Sequence, residues 1–145
     1  MIGTERGHIL KSVSALPGHR LTLRWDGAPE AVVDLGVAVR ATPFRALADA
    51  GLFARAEVGD WGHSVVWPGE IEIGADTLWL DSLTAWGRDD TRAFLEWRLR
   101  NGLSLSAAAE ALGLSRRTIA YYSGGRPVPR SILLACTGWD ALKAA

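Results

Sequence analysis

Two adjacent arginines, Arg116 and Arg117, follow Ser115 in the C-terminal half of the chain. A serine in front of a helix caps the first turn with its side-chain oxygen and leaves backbone amides free to bind a phosphate. An arginine in that first turn can donate two hydrogen bonds from its guanidinium group, to N7 and O6 of guanine, or it can bind a phosphate. These residue types in this order therefore suit binding to double-stranded DNA. The alternative is that both arginines are ordinary solvated charges.

The segment around the arginines meets the spacing requirements of a helix-turn-helix, in which two short helices cross steeply over a tight turn. Counting from Leu105, the fifth residue is Ala109, whose small side chain lets the helices approach each other. The ninth is Gly113, which adopts a left-handed backbone at little cost. The fifteenth and eighteenth, Ile119 and Tyr122, are expected to pack under the first helix. Together these positions predict a helix-turn-helix.

The outer face of the second helix then carries polar, basic and aromatic residues. Its N-terminal turn is the part that enters the major groove of DNA in such proteins. We expect DNA contacts from the capping serines, from this outer face and from the basic residue that follows it: Ser104, Ser115, Arg116, Arg117, Thr118, Ala120, Tyr121 and Arg126.

The rest of the C-terminal half is also predicted to be helical. A helix over 88–102 is acidic in its first turn and basic in its last, as the helix dipole favours. Its expected buried stripe is Phe94, Leu95 and Leu99. A last helix is expected over 129–142, so that the half forms an all-α domain of four or five helices.

The N-terminal half is predicted to be an α+β domain of short antiparallel strands with two helices. One helix is expected over 42–53, with Thr42 as its N-cap, Pro43 at the first helical position and Gly51 as its C-cap. The other is expected over 75–86, with Leu78, Trp79 and Leu83 as its apolar stripe. The expected strands are 8–16, 20–25 and 30–35, followed by a hairpin of 55–59 and 63–68 around Asp60-Trp61-Gly62.

The two halves differ in charge, although the 145-residue chain has a formal net charge of zero. Residues 1–87 contain seven basic and eleven acidic residues, a net charge of −4. Residues 88–145 contain nine basic and five acidic residues, a net charge of +4. This change indicates two domains with different tasks, 1–87 and 88–145, with a boundary near 85–90.

No pattern of catalytic, metal-binding or cofactor-binding residues is present, and we expect neither an enzyme nor a bound cofactor. The three histidines, His8, His19 and His63, lack metal-ligand spacing to one another and to Cys136. No glycine-rich loop matches a phosphate cradle. Ordinary turn residues are the favoured interpretation of four acids, over a catalytic pair: Asp26, Asp34, Asp60 and Asp76.

The remaining sequence features concern apolar residues. Cys136 lies in the run ILLACTGW and is expected to be a buried structural thiol. Trp61 and Trp67 flank the predicted hairpin, and core packing is favoured for them over a ligand pocket or a partner surface.

No apolar run approaches the ~20 residues of a membrane span, and the N-terminus MIGTERGHILK lacks the apolar core of a signal peptide. We therefore expect a cytoplasmic protein without membrane contact.

Residues 94–142 resemble the helix-turn-helix family of lambda repressor and Cro. The resemblance rests on RLRNGLSLSAAAEALGLSRRTIAYYSGGRPVP. It implies a DNA-binding fold whose second helix reads the major groove. The chain departs from the family pattern at Leu105, where glutamine is frequent, and at Ser123, where an acid is common.

Residues of the N-terminal half are similar to a family of small uncharacterised bacterial domains. The shared pattern is LPGHRLTLRWDG, followed by FARAEV and VVWPGEIEIGADTL. Members of that family occur alone or fused to a C-terminal helix-turn-helix, and some accompany small toxin-like partners. The resemblance implies a fold and, for some members, antitoxin behaviour.

We predict from these features a sequence-specific DNA-binding protein, a transcriptional regulator that acts as a homodimer. Two other functions remain open. One is an antitoxin-like interaction module that binds a small toxin partner. The other is a small-molecule-binding domain with a vestigial helix-turn-helix.

Overall fold

The computed structural model describes residues 8–145, which divide into two compact units, one that ends at Trp86 and one that comprises Gly87–Ala145. Residues 1–7, on which the expected lack of a signal peptide rests, lie outside the described residues. The described chain is mixed α and β, with two small antiparallel sheets and six α-helices. None of the helices within 8–145 combines the length and hydrophobicity of a membrane span.

The N-terminal unit contains two three-stranded antiparallel sheets, each in sequential strand order. The strands of the first sheet are β1 (Leu10–Leu16), β2 (Arg20–Trp25) and β3 (Ala31–Asp34). Those of the second sheet are β4 (Glu57–Val58), β5 (Ser64–Trp67) and β6 (Ile71–Gly74). The predicted strands and the hairpin are confirmed, and the structure adds β6, which is not among the predicted strands. The alternation of Glu70, Ile71, Glu72 and Ile73 is the sequence pattern that indicates it.

Alternation along β2 places one face of the first sheet in the core. Leu21, Leu23 and Trp25 are buried, whereas Arg20 and Arg24 are exposed. Successive side chains of a strand point to opposite sides, so this register fixes which face meets the core.

Two short helices of the N-terminal unit correct the prediction of one helix over 42–53. The segment forms a 3-10 turn at Arg45–Ala48 and a single α-helical turn, α1 (Ala50–Phe53). Asp49, not Thr42, is the N-cap, because its carboxylate accepts a hydrogen bond of 2.8 Å from the Leu52 amide. Gly51 lies inside α1 and is not its C-cap. The cap at Asp49 ends one helical turn and starts the next, so no continuous helix forms.

Helix α2 (Ala75–Ala85) confirms the second predicted helix and joins the core of the N-terminal unit through a buried hydrogen bond. Trp25 on β2 donates its indole N–H to Ser82 Oγ at 3.0 Å, and the Ser82 hydroxyl donates to the Leu78 carbonyl at 2.8 Å. Leu78 and Leu83 are buried, and Trp79 is half-buried. The polar atoms of Trp25 and Ser82 are thus satisfied within the core, as burial requires.

The C-terminal unit is all-helical. Its helices are α3 (Asp89–Arg100), α4 (Leu105–Leu112), α5 (Arg116–Ser123) and α6 (Arg130–Ala144). Their shared core contains Phe94, Trp97, Leu105, Ala108, Ala109, Ile119, Val128 and Cys136.

The buried face of α3 differs from the predicted stripe at its C-terminal end. Phe94 and Leu95 are buried as expected, but Leu99 is 61% exposed and Arg98 is 5% exposed. Thr91, Phe94 and Arg98 follow the i, i+3, i+7 spacing of one helix face, and Leu99 lies one position beyond that face. Position 98 therefore faces the core although its residue is charged.

We predict that residues 87–145 fold without the N-terminal unit, because their core draws on α3 to α6 and their caps are local. A chain that begins at Gly87 is expected to give a helical circular-dichroism spectrum and a cooperative thermal transition. The full chain serves as the control. A fragment with the spectrum of an unfolded peptide would contradict the prediction and would mean that the two halves depend on one core.

Candidate nucleic-acid interface

Helices α4 and α5 are both capped by serine side chains, as the sequence predicts. Ser104 Oγ accepts a hydrogen bond of 3.0 Å from the Ala107 amide, and Ser115 Oγ accepts one of 3.1 Å from the Thr118 amide. Both serines are exposed. The cap at Ser115 satisfies the Thr118 amide and leaves the first amides of α5 without an intrahelical partner, at the end where a helix favours negative charge.

The turn between α4 and α5 is built on Gly113, whose backbone is left-handed with φ +69° and ψ +33°. The Leu114 amide donates to the Ala109 carbonyl at 2.9 Å, and the Gly113 amide donates to the Glu110 carbonyl at 3.4 Å. This pair of bonds is the Schellman arrangement, which closes a helix when the residue after it is left-handed. Only Leu114 and Ser115 lie between Gly113 and the first residue of α5, so the turn is short.

Helix α5 is held by its inner face. Ile119 is fully buried, Ala109 on α4 is 7% exposed, and Tyr122 is half-buried. The Tyr122 ring meets the Phe94 ring edge-on, with 5.6 Å between the ring centroids. These contacts fix the rotation of α5 about its own axis, and that rotation determines which residues face solvent.

Arg116 and Arg117 lie in the first turn of α5 and are exposed. Three other arginines of this unit pair with acids: Arg88 with Asp90, Arg92 with Glu96 and Arg100 with Asp140. In contrast, four exposed arginines make no ion pair with any residue within 8–145, namely Arg116, Arg117, Arg126 and Arg130. The uncompensated positive charge of the unit is therefore concentrated on α5 and the segment that follows it.

The other predicted contact residues differ in how accessible they are. Tyr121 is 41% exposed, and the Arg126 guanidinium lies over its ring, 4.0 Å from the centroid. Thr118 is half-buried, and its hydroxyl is 2.9 Å from Ser115 Oγ. Ala120 is half-buried against the core of the unit, which corrects its predicted place on the outer face. It is one residue from Ile119, near the border between the inner and outer faces.

A buried arginine that no sequence pattern revealed supports the far end of α5. Arg98 donates a hydrogen bond of 2.8 Å to Ser123 Oγ and, at 3.1 Å and 3.3 Å, two bonds to the Leu103 carbonyl. It thereby joins the last residue of α5 to the segment after α3. Ser123 is one of the two departures from the lambda repressor pattern. The other, Leu105, is buried in the core at 3% exposure, so it packs inward and offers no polar group.

An aspartate joins the start of α3 to the chain before α6. Asp90 accepts a hydrogen bond of 2.8 Å from the Val128 amide and one of 3.2 Å from Arg88 Nε. Burial by itself raises the pKa of Asp90, but the hydrogen bonds from Val128 and Arg88 outweigh it and hold the pKa below its ordinary value. Asp90 is therefore charged at neutral pH, and the contact that positions Val128 persists there.

Cys136, His19 and His8 each have identifiable packing or hydrogen-bond contacts. Cys136 is buried, as predicted, and burial together with the Asp140 carboxylate raises the pKa of its thiol to about 11. The thiol is protonated at neutral pH and is a poor nucleophile. His19 Nε2 lies 3.0 Å from the Ala48 carbonyl, and His8 stacks on Trp79 at a centroid distance of 3.7 Å. Among the described residues, no group of three potential metal ligands comes together.

We predict that Gly113→Val destabilises the protein by on the order of 1–2 kcal/mol or more, because a β-branched residue is forced into the left-handed backbone. A Cβ at this position meets no atom of a more distant residue within 4 Å, so the cost comes from the left-handed backbone itself and not from a clash with the rest of the unit. Thermal unfolding of the full chain, followed by circular dichroism, measures it.

The matched control for this change is Gly113→Asn, because asparagine adopts the left-handed backbone more readily than valine. We expect the asparagine variant to unfold between the parent protein and the valine variant. Equal stability of the valine variant and the parent would mean that the turn does not require a left-handed residue at 113.

The N-terminal half of the chain matches a known protein family. Residues 10–82, half of the chain, match a family described as a protein of unknown function, DUF2442. No curated protein matches the chain. The chain is similar to the crystal structure of a candidate DNA-binding protein, NE0471 of Nitrosomonas europaea, with 36% sequence identity and a TM-score of 0.72. That match covers 94% of this chain and 88% of the other. The expected membership in an uncharacterised domain family is thus confirmed: the chain belongs to the DUF2442 family.

Proposed function

We propose that this protein binds double-stranded DNA through α4, the Gly113 turn and α5, which act as a helix-turn-helix. The observation that carries the proposal is the first turn of α5. There a serine-capped helix end presents two exposed arginines, while Ile119 on the opposite face is fully buried. In helix-turn-helix proteins this end of the second helix enters the major groove.

The charges of the C-terminal unit support the same surface. Arg116 and Arg117 supply positive charge at a helix end that itself attracts anions, and Arg126 and Arg130 follow α5 in the sequence. Neutralising DNA phosphates releases counterions, which provides most of the affinity for DNA of any sequence. The guanidinium fork adds a sequence preference where it meets a guanine edge. Among the predicted contacts, Ser104 and Ser115 act as caps whose neighbouring amides bind phosphate.

The proposal includes dimerisation and a regulatory role. One short helix contacts only a few base pairs, each worth ~1–3 kcal/mol of discrimination. Two copies on a two-fold symmetric site double the number of contacts, which is how small helix-turn-helix proteins reach useful specificity. We propose that this dimer acts as a transcriptional regulator. The similarity to the N. europaea protein, named as a candidate DNA-binding protein, agrees with this proposal.

The proposed function is tested by titrating the full chain against labelled duplex DNA of random sequence at several salt concentrations. We expect the logarithm of the binding constant to fall linearly with the logarithm of the salt concentration. Arg116→Ala and Arg117→Ala are expected to weaken binding, and at least one of them should reduce the slope by ~1, since each phosphate contact adds about that amount.

The matched control is Arg55→Ala, which removes one exposed arginine from the N-terminal unit. We expect its affinity and its salt slope to equal those of the parent. If the double variant Arg116→Ala/Arg117→Ala binds as tightly as the Arg55→Ala control, the two arginines are ordinary surface charges and the proposed interface is wrong.

A further inference from the structure

The N-terminal unit has an open groove of about 560 Å³ that plays no part in the proposed DNA contacts. It lies beside the hairpin of β4 and β5. Its lining includes one tryptophan, three acids, a histidine and a buried serine: Trp61, Glu57, Asp60, Glu72, His63 and Ser64.

Trp61 is 84% exposed, and its backbone is left-handed with φ +62°. A left-handed backbone is uncommon for a large residue and is retained where the surroundings enforce it. The loop around Trp61 is tightly packed at two glycines. A Cβ at Gly59 would clash with Ser64 Oγ, and a Cβ at Gly62 would clash with the Leu10 carbonyl oxygen.

Hydrogen bonds hold the same loop from both ends. The Gly59 amide donates to the Ser64 carbonyl at 2.8 Å, and the His63 amide donates to the Asp60 carbonyl at 3.1 Å. Core packing is the predicted role of both Trp61 and Trp67. That prediction holds for Trp67, which is buried and donates its indole N–H to the Phe53 carbonyl, but is wrong for Trp61. The fixed loop holds the Trp61 indole out in solvent.

The charge of the groove is negative. Glu57, Asp60 and Glu72 are exposed, and none of them forms an ion pair with another residue of 8–145. Ser64, buried at 4% exposure, donates a hydrogen bond of 2.6 Å to Glu72 Oε2 and so orients that carboxylate. The groove therefore combines a fixed aromatic face with three carboxylates and lies in the half of the chain that carries a net charge of −4.

We propose that this groove binds a basic polypeptide segment, with an arginine side chain stacked on Trp61 and paired with the surrounding carboxylates. A guanidinium group stacks on an indole face and forms charge-assisted hydrogen bonds with carboxylates in the same position. Tryptophan is also among the residues that most often dominate protein–protein interfaces. Charge complementarity selects this occupant, because the carboxylates that attract an arginine repel the phosphates of a nucleic acid.

The test uses the full chain and a fluorescein-labelled peptide of alternating arginine and glycine, followed by fluorescence anisotropy. We expect saturable binding that weakens as salt is added. A peptide with glutamate in place of arginine is expected not to bind. Trp61→Asn, which keeps a residue that tolerates the left-handed backbone, should weaken binding about two- to fivefold, the loss expected for a cation–π contact at an exposed site.

A second variant tests the carboxylates without changing the aromatic residue. Glu57→Gln/Asp60→Asn should weaken binding of the arginine peptide and reduce its dependence on salt. Glu30→Gln/Asp26→Asn is the matched control, since it removes two exposed acids of the same unit that do not line the groove. Its binding should equal that of the parent.

Three results would overturn the proposal. The first is no binding of the arginine peptide to the parent at millimolar concentration. The second is parental affinity in both Trp61→Asn and Glu57→Gln/Asp60→Asn while circular dichroism shows that they are folded. The third is binding of duplex DNA that is lost in Trp61→Asn, which would assign the groove to a nucleic acid.

Discussion

The left-handed backbone at Gly113 is the constraint on which the proposed interface depends. It ends α4 after Leu112 and lets the Leu114 amide bond the Ala109 carbonyl, so that Ser115 follows at once as the cap of the next helix. With α5 started there, Ile119 falls in the core, and the burial of that one residue directs the arginines of the first turn toward solvent. A shift of one residue in the buried position along α5 would turn its solvent-facing side by about 100°.

Much of the fold follows from local patterns in the sequence. The alternation in β2 separates its buried residues from its exposed ones, and the serine caps and Gly113 mark both ends of α4 and the start of α5. Each of these features depends on neighbours a few positions away, which a sequence displays directly. The 42–53 segment shows where prediction from local patterns fails. Thr42 and Pro43 form a valid start signal, but Asp49 caps a later turn and competes with it.

The rest of the candidate sites depends on contacts that a sequence does not display. Arg98 looks like a surface cation at a helix end, yet it is buried because the helix face that begins at Thr91 reaches it and because Ser123, twenty-five positions away, accepts its hydrogen bond. Trp61 looks like a core residue, yet it is exposed, in a loop where Gly59 packs closely on Ser64 and Gly62 packs closely on Leu10 of β1. Both outcomes depend on packing between distant parts of one unit.

Selection of bound sequences from a random pool of duplex DNA tests the central claim most directly, because the pool offers the protein every short sequence at once. We expect the full chain to enrich a two-fold symmetric sequence whose half-sites lie about one helical turn apart, or a multiple of that. Selection with Arg116→Ala or Arg117→Ala should lose the preference at one position of each half-site in at least one of the two variants. A pool that remains unenriched by the parent, or the same sequence enriched equally by both variants, would contradict the assignment of α5 as the DNA-reading helix.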